Sequence, residues 1–437
     1  MRKSFDFGKS GLFALGYVGD KSPYLSYLSK KAKTIVSEAD FARNIEAAYD
    51  AQKEINYSYN TKGNLHQGAF DERTCLYAID TGFIEPNANP AYPDANIFAV
   101  FKKDIYGSWS FVKFFTKYRI EKLYNAYRIG NISFKDYAAA NKFIADLHDI
   151  LLPGEVWQFG SNSAVAYRPK TKYDILENYL KNVFEKLLCE YNLPDSGNYN
   201  KIIFSDDKKY ALFNSGLLDK FAEDVYLLGE VFWKKPPVFN FSNPIVAGSL
   251  ADLGNKYKFG ESSRSKLPDV VKFFDKVDDI IYDPNVVIDM SRDKLEHIIV
   301  DGVKRNRYKE RYMNLYKDKK LPLIHDALTR AIDKAKKIAK RNYKYVVPQY
   351  RSASRGEPGK IQLLMPIYLD GEYDDRPDFA LVLNSVILQE NSRLYIPETI
   401  LELPWAYNNA RVICKPEDTW LNPKTMESPL IELDMPE

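Results

Sequence analysis

The clearest periodic pattern in the chain lies between Lys172 and Tyr191, where apolar residues recur at intervals of three and four. That spacing predicts an amphipathic helix. Thr171, followed three residues later by Asp174, resembles a capping box at its start. Two short apolar runs follow, at 201–204 and 209–213, and the acidic pair between them predicts a hairpin.

The remaining hydrophobic patterns predict four more helices and seven more strands. Further helices are predicted at Asp40–Ile55, Asp219–Val231, from Arg292 onward and at Leu323–Tyr343. Strands are predicted at 270–274, 279–282, 286–290, Tyr345–Tyr350, Ile361–Leu369, Phe379–Ile387 and Tyr395–Leu403. Since Pro348 cannot donate to a ladder, its strand is expected at a sheet edge. The pattern as a whole predicts an α+β fold with mixed sheets and packed helices.

Two parts of the chain resemble each other. The similar pairs are Leu76–Phe83 with Tyr210–Leu217, Asn96–Val100 with Asp224–Leu228, and Trp109–Phe111 with Phe239–Phe241. A helical pattern precedes each set. These likenesses indicate an internal duplication of a helix-hairpin-helix unit, although strand-turn-helix units also look alike by chance. Two such units could form a composite groove.

Size and composition are those of a globular chain. Its 437 residues are enough for two or three domains with cores of their own. The longest apolar run, Ile361–Leu369, is too short to span a bilayer, and the first residues form no apolar stretch of signal-peptide length. The 3 cysteines form no C-x-x-C pair, and the 4 histidines give no zinc spacing. We therefore expect a cytoplasmic protein with no membrane partner.

Charge is distributed very unevenly. The segment from Lys304 to Arg355 has 17 Lys and Arg against 4 Asp and Glu, a net charge of +13. The whole chain is only +3, so the other residues sum to −10. Such an asymmetry favours a polyanionic partner, of which RNA is the first choice, over an ordinary solvated surface.

Cations along this segment fall at spacings that suit phosphate contact. Arg330, Lys334, Lys337 and Arg341 form one stripe on the predicted helix Leu323–Tyr343. Arginine forks fit phosphate oxygens, and interleaved tyrosines can stack on bases. The full set of predicted RNA-binding residues is Lys304, Arg305, Arg307, Arg311, Arg330, Lys334, Lys337, Arg341, Arg351 and Arg355.

Several separated motifs resemble one family. They are Pro153–Trp157, Ile175–Leu180, Phe213–Leu217, Ile361–Pro366, Asp378–Val382, Thr399–Leu401 and Ala406–Arg411, with Leu12–Tyr17 as an opening motif. Together they resemble the uncharacterised domain found fused to OST-HTH (LOTUS) RNA-binding domains. The resemblance implies an RNA-related context but no reaction and no catalytic residues. It divides the chain into an N-terminal α+β region, 1–135, which is a first repeat or an insertion, and a C-terminal α+β domain, 136–437.

One short motif is similar to a catalytic signature. Arg292, followed by Asp293 and then His297, fits the pattern of HEPN-type ribonucleases, in which an Arg and a His cleave RNA without metal. The resemblance implies that His297 acts as general acid or base and that Arg292 stabilises the phosphorane. A six-residue match also occurs readily on a helix with a structural histidine, and HEPN domains are all-helical.

Polar residues near the predicted strand ends form a candidate ligand pocket: Asn214, Asp378, Asn408, Asn409 and Arg411. The last three could instead cap a helix and pair with Asp378. No phosphate-binding G-x-x-x-x-G-K-S/T loop, nucleophile elbow or H-E-x-x-H motif is present. We expect no cofactor, and Mg²⁺ only if the protein is an enzyme.

These patterns make an RNA-binding protein of RNA processing, repair or defence the leading hypothesis. The alternatives are an enzyme that acts on RNA or nucleotides, by HEPN-like cleavage or phosphotransfer, and a scaffold for an acidic protein partner. The sequence leaves open whether the protein catalyses a reaction.

Overall fold

The structure is a computed structural model. It describes residues 22–59, 65–71, 73–86, 95–103, 109–160, 171–192, 200–235, 238–352, 359–370, 376–388, 392–416 and 420–427. The predicted opening motif Leu12–Tyr17 and the predicted RNA-binding Arg355 lie outside these residues.

The first part of the chain forms a five-stranded sheet. Its elements are α1 (Ser22–Ala32), α2 (Glu38–Asp50), β1 (Glu54–Tyr59), β2 (Leu65–Gly68), β3 (Leu76–Ile84), β4 (Asn96–Lys103), β5 (Trp109–Thr116) and α3 (Lys117–Asn125). The strand order is β2-β1-β3-β4-β5. Alternate residues of β3 and β4 enter two separate apolar clusters, one on each face of the sheet.

The second sheet has six strands and two helices. Its elements are β6 (Tyr127–Ile129), β7 (Ile132–Phe134), α4 (Tyr137–Ile150), α5 (Asp174–Tyr191), β8 (Ile202–Phe204), β9 (Tyr210–Leu218), β10 (Asp224–Lys235) and β11 (Val238–Val246). The order is β6-β7-β11-β10-β9-β8. The predicted domain boundary between 135 and 136 stays a prediction, although β6 and β7 precede it and pair within this sheet.

The third sheet carries most of the remaining helices. Two short helices, α6 (Leu250–Asn255) and α7 (Glu261–Arg264), come first along the chain, and Leu253 of α6 packs with Leu212 and Leu228 of the second sheet. The elements of the third sheet and its helices are β12 (Val287–Ile288), α8 (Arg292–Lys304), α9 (Glu310–Lys317), α10 (Leu321–Ala339), β13 (Val347–Arg351), β14 (Lys360–Ile367), β15 (Phe379–Ile387), β16 (Arg393–Leu401) and α11 (Leu403–Ala410). The order is β12-β16-β15-β14-β13. The α+β class is therefore confirmed.

The third sheet is covered on both faces, which explains the nearly continuous apolar run of β14. Leu363, Met365 and Ile367 pack against α8, α9 and α10. Leu364, between them, packs into a larger cluster that also contains residues of α5, α11 and the second sheet. A strand buried on both faces loses the alternating pattern of a half-exposed one. Helices α5 and α11 thus lie in a core shared by two sheets.

The first and second sheets contain the same arrangement of four strands. β1-β3-β4-β5 and β8-β9-β10-β11 are both antiparallel, in the same spatial order. Asp80 lies opposite Phe98 and Asn214 opposite Tyr226, so the two hairpins share a register. Asp80 and Asn214 also accept the N–H of the glycine two residues later, at 2.9 Å in both cases.

That glycine is conformationally alike in the two units. Gly82 has φ +71° and Gly216 has φ +72°, values in the left-handed region that favours glycine. Thr81 and Ser215, just before them, each donate a hydroxyl hydrogen bond of 2.6 Å to a carbonyl of the next strand. Descent of both units from one segment stays a prediction, which these shared features support.

Several predicted elements are confirmed and three are wrong. Pro348 lies on the edge strand β13, as expected. The predicted helix Asp219–Val231 is wrong, because most of that stretch forms strand β10 between β9 and β11. Its alternate residues Val225, Leu227 and Val231 are buried, a period of two that was hidden by Leu228 on the other face. The strands predicted at 270–274 and 279–282 do not form, and 286–290 shrinks to β12.

Candidate functional site

Helix α11 places a buried arginine at the centre of the shared core. Arg411, directly after the helix, has a side chain only 8% exposed and forms an ion pair of 3.1 Å with Glu155. Its guanidinium lies over the ring of Trp157, at 3.9 Å from the centroid. A buried charge needs such partners, since unpaired burial costs several kcal/mol. The pair fastens the segment 155–160 to α11.

Aromatic rings enclose this ion pair. Trp157 meets Tyr179 of α5 edge to face at 5.5 Å, and Phe159 meets Tyr407 of α11 at 5.9 Å. Burial raises the pKa of Tyr179 to about 12, so its hydroxyl stays protonated near neutral pH. A Cβ on Gly216 would lie 2.7 Å from that hydroxyl. Four of the resembling motifs therefore meet at one place, which we call the α11 junction: residues 153–157, 175–180, 213–217 and 406–411.

A row of polar side chains crosses the face of the third sheet that is turned to α11. We call Gln349, Gln362, Asn384 and Glu398, one from each of β13 to β16, the amide row. Gln349 donates to Gln362 at 2.9 Å, and Gln362 donates to Asn384 at 2.8 Å and to Glu398 at 2.6 Å. Asn384 also donates to Glu398.

One end of the amide row is buried and the other reaches the surface. Gln349 is 1% exposed and Gln362 is 3% exposed. Glu398 sits at a β-bulge between β15 and β16, with its side chain 30% exposed, and accepts Arg351 at 2.8 Å and Lys360 at 3.3 Å. The carboxylate thus meets two cations and two amides, and its charge is compensated within the fold.

Further amides connect the row to the helices. Asn409 of α11 donates to Gln349 at 3.1 Å. Asn178 of α5 donates to the carbonyl of Asn408 at 2.9 Å. The hydroxyl of Ser352 donates to Asn182, one turn along α5. These hydrogen bonds hold α5 and α11 against the third sheet.

The predicted pocket residues do not form one pocket. Asn408 and Asn409 lie on α11 and Arg411 follows it, but Asn214 lies in strand β9 and accepts the Gly216 N–H. Asp378 pairs with Lys309 at 2.6 Å and accepts the N–H of Leu369. The expected contact of Asp378 with the α11 residues is therefore wrong.

Intramolecular contacts engage several of the predicted RNA-binding cations. Arg305 pairs with Asp301 and Arg311 pairs with Asp370, at 3.0 and 3.2 Å. The half-buried Arg307 donates to the carbonyl of Ile400. These contacts, together with that of Arg351 to Glu398, reduce the basic surface to a smaller area than the sequence suggested.

Exposed cations are most closely spaced around the end of α10. Arg330, Lys334, Lys337 and Arg341 are all exposed, as the helical stripe predicts, and so is Lys304 at the end of α8. Residues 334–344 contain no acid, and Tyr343 among them is 65% exposed. We call Lys334, Lys337, Lys340, Arg341 and Lys344, all exposed, the basic cluster.

The predicted catalytic pair lies on α8. Arg292 and His297 are both exposed, and Arg292 donates to Glu296 at 2.7 Å. Five residues of helix turn the two side chains about 140° apart around the axis. Neither residue lines the cavities beside the α11 junction. Their catalytic role stays a prediction, and nothing else in the geometry of α8 adds to it.

Metal-ligand clusters and membrane-spanning helices are both missing from the described residues. These residues contain no group of three or more His, Cys, Asp or Glu side chains that could hold a metal ion. No helix in this part of the chain combines the length and apolarity needed to cross a membrane.

Comparisons with known proteins place the α11 junction in one family domain. The α+β domain that surrounds it is matched, over residues 147–420, by a family model described as a domain of unknown function. The chain belongs to that family, DUF3825. The match begins in α4 and covers strands β8 to β16, and it leaves out the first sheet and strands β6 and β7 of the second. No curated protein and no solved structure matches the chain.

One half-buried carboxyl near the junction, that of Glu177, predicts a pH effect. Burial raises the pKa of Glu177, which accepts the Tyr127 hydroxyl at 3.0 Å and the Thr171 N–H at 3.0 Å. Above its ordinary value of 4.5, the folded chain holds a proton that the unfolded chain has lost, so stability falls as pH rises. Relative to Glu177→Gln, the wild type should lose unfolding free energy in urea titrations as the pH rises above 4.5. Parallel pH profiles of the two proteins would contradict this assignment.

Proposed function

We propose that the protein binds single-stranded RNA through the basic cluster. One observation carries the proposal: five exposed cations lie within residues 334–344, which contain no Asp or Glu. Cations clustered on the last turns of a helix and on the turn after it can contact a phosphate backbone, and the released counterions drive binding.

The exposed Tyr343 favours a single strand over a duplex. Its side chain is 65% exposed, and in sequence it lies between Arg341 and Lys344 of the basic cluster. An aromatic ring beside phosphate-binding cations can stack on an unpaired base, which a duplex does not offer. The family resemblance to domains fused to OST-HTH modules supports the same proposal by association.

Neutralising three lysines of the cluster tests the proposal. The triple variant Lys337→Gln, Lys340→Gln and Lys344→Gln should weaken binding of a labelled single-stranded RNA roughly 10- to 100-fold at 0.1 M salt. Each lost phosphate contact lowers the salt slope by about 0.7, so the slope should fall by about 2. Fluorescence anisotropy across a salt series measures both quantities.

The matched control removes the same charge elsewhere. Lys135, Lys220 and Lys234 are exposed and lie outside the basic cluster. Their triple replacement by Gln should leave affinity and salt slope near the wild-type values. Equal losses in both triple variants, or RNA affinity that does not respond to salt, would overturn the proposal. Glutamine is chosen because glutamate near a helix C-terminus would also destabilise α10.

A further inference from the structure

A cavity beside the α11 junction is built from four separate segments. Its volume is about 330 Å³, within the range of small-ligand sites. Its walls come from the end of α4, the segment 155–160, the start of α5 and the turn at Pro423–Thr425. It contains none of the basic cluster, so a ligand assigned to this cavity does not depend on the proposed RNA-binding surface.

The walls are held by backbone contacts. Gly160 donates to the carbonyl of Pro423 at 2.8 Å and to that of Met426 at 3.0 Å. A Cβ at Gly160 would lie 2.0 Å from the Lys424 carbonyl oxygen, so only glycine permits this approach. A site fixed in this way loses little conformational entropy when it binds a ligand.

The charge of the cavity is positive. Glu155, its acid, is already paired with Arg411 at 3.1 Å. Lys172 and Lys424 line the cavity, are exposed, and form no ion pair among the described residues. Two ammonium groups without an ion pair among the described residues, beside a neutralised carboxylate, favour an anionic ligand.

Aromatic and amide groups complete the lining. His148 and Tyr173 stack at 3.8 Å with an interplanar angle of 11°, which forms a flat aromatic wall, and the Lys172 ammonium lies 5.2 Å from the centre of the Tyr173 ring. Trp157 is 2% exposed, and its indole N–H has no acceptor among the described residues. Leaving such a donor unpaired costs about 1–3 kcal/mol. The exposed Gln158 offers both a donor and an acceptor.

We propose that this cavity binds a nucleoside phosphate, with the phosphate held by Lys172 and Lys424 and the base against the Tyr173 wall. Flat rings suit a base, the amide of Gln158 suits its edge, and the lysines suit a phosphate. The nucleoside phosphate is either a free mononucleotide or the phosphorylated end of an RNA strand, since both present the same groups.

Isothermal titration of the full chain with AMP, GMP, CMP and UMP tests the free form. At least one should bind with a dissociation constant on the order of 10 µM. Lys172→Glu and Lys424→Glu should each weaken binding at least tenfold, and Tyr173→Ala should do the same by removing the wall. Lys234→Glu, an exposed lysine on β10, is the matched control and should bind like the wild type.

Oligoribonucleotides with and without a 5′ phosphate show whether the ligand is a strand end or a free mononucleotide. Binding of the phosphorylated strand alone, lost in Lys172→Glu, assigns the site to a strand end. Mononucleotide binding that Lys172→Glu abolishes assigns it to the free form. Inorganic phosphate that binds as tightly as any nucleotide, or nucleotide binding unchanged in both lysine variants, would overturn the proposal. The triple Gln variant of the basic cluster should bind mononucleotides normally, so failure here is separate from failure of the RNA-binding proposal.

Discussion

Replacing Gln362 by methionine should lower the free energy of unfolding by about 2–4 kcal/mol, because several polar groups lose a hydrogen-bond partner at once. The change removes the acceptor of Gln349, which is 1% exposed, and the donor that reaches both Asn384 and Glu398. Methionine has a similar shape, so lost hydrogen bonds rather than lost volume dominate the effect. Urea denaturation followed by circular dichroism measures it.

The matched control is Gln67→Met in strand β2. Gln67 is exposed and donates to Glu121 at 3.0 Å, so its loss should change stability by less than about 0.5 kcal/mol. If the two variants are equally stable, the amide row adds nothing to the fold beyond its packing.

Replacing Arg411 by methionine should cost about 3 kcal/mol of unfolding free energy. The substitution leaves Glu155 without its ion-pair partner and strips the cation from the face of Trp157. Because the Glu155 side chain is 25% exposed, water offsets part of the loss, and the effect stays below that of a fully buried pair. The shift of the urea midpoint measures the loss.

A second ion pair supplies the control for this change. Arg292→Met breaks the contact of Arg292 with Glu296, whose side chains are 77% and 33% exposed. An exposed helical pair of this kind contributes only a few tenths of a kcal/mol, so the midpoint in urea should barely move. Equal destabilisation by the two arginine variants would contradict a central role for the α11 junction.

The two largest effects fall on residues that tie helices to a sheet. Arg411 joins α11 to the segment that walls the proposed nucleoside phosphate site, and the amide row joins α11 to the third sheet. A loosened junction would therefore weaken ligand binding as well as stability. Binding assays on these variants should be made without urea, at temperatures well below their unfolding midpoints.

Local periodicity was enough to predict helices and strands whose own side-chain pattern determines their secondary structure. The helix at Asp174–Tyr191 and the strand at Phe379–Ile387 lie within a few residues of their predicted bounds. The stripe of cations on α10 followed from helical spacing alone and is exposed as expected. In each case the side-chain pattern repeats at the period of the element that forms.

Sequence reasoning missed the amide row because its residues are separated along the chain. Gln349, Gln362, Asn384 and Glu398 each look like a single polar residue in an apolar strand, and only strand pairing places them side by side. The signal that could have found them is the polar break itself, since a glutamine inside a strand buried on both faces needs partners.

The sequence alone determined the class of the fold, most of its helices and late strands, and an exposed basic stripe, because these depend on interactions a few residues apart. The tertiary structure decided which cations form ion pairs with distant acids, since pairs such as Arg311 with Asp370 join residues far apart in the chain. It also decided that residues from four distant segments enclose one cavity, because long-range packing has no local signature.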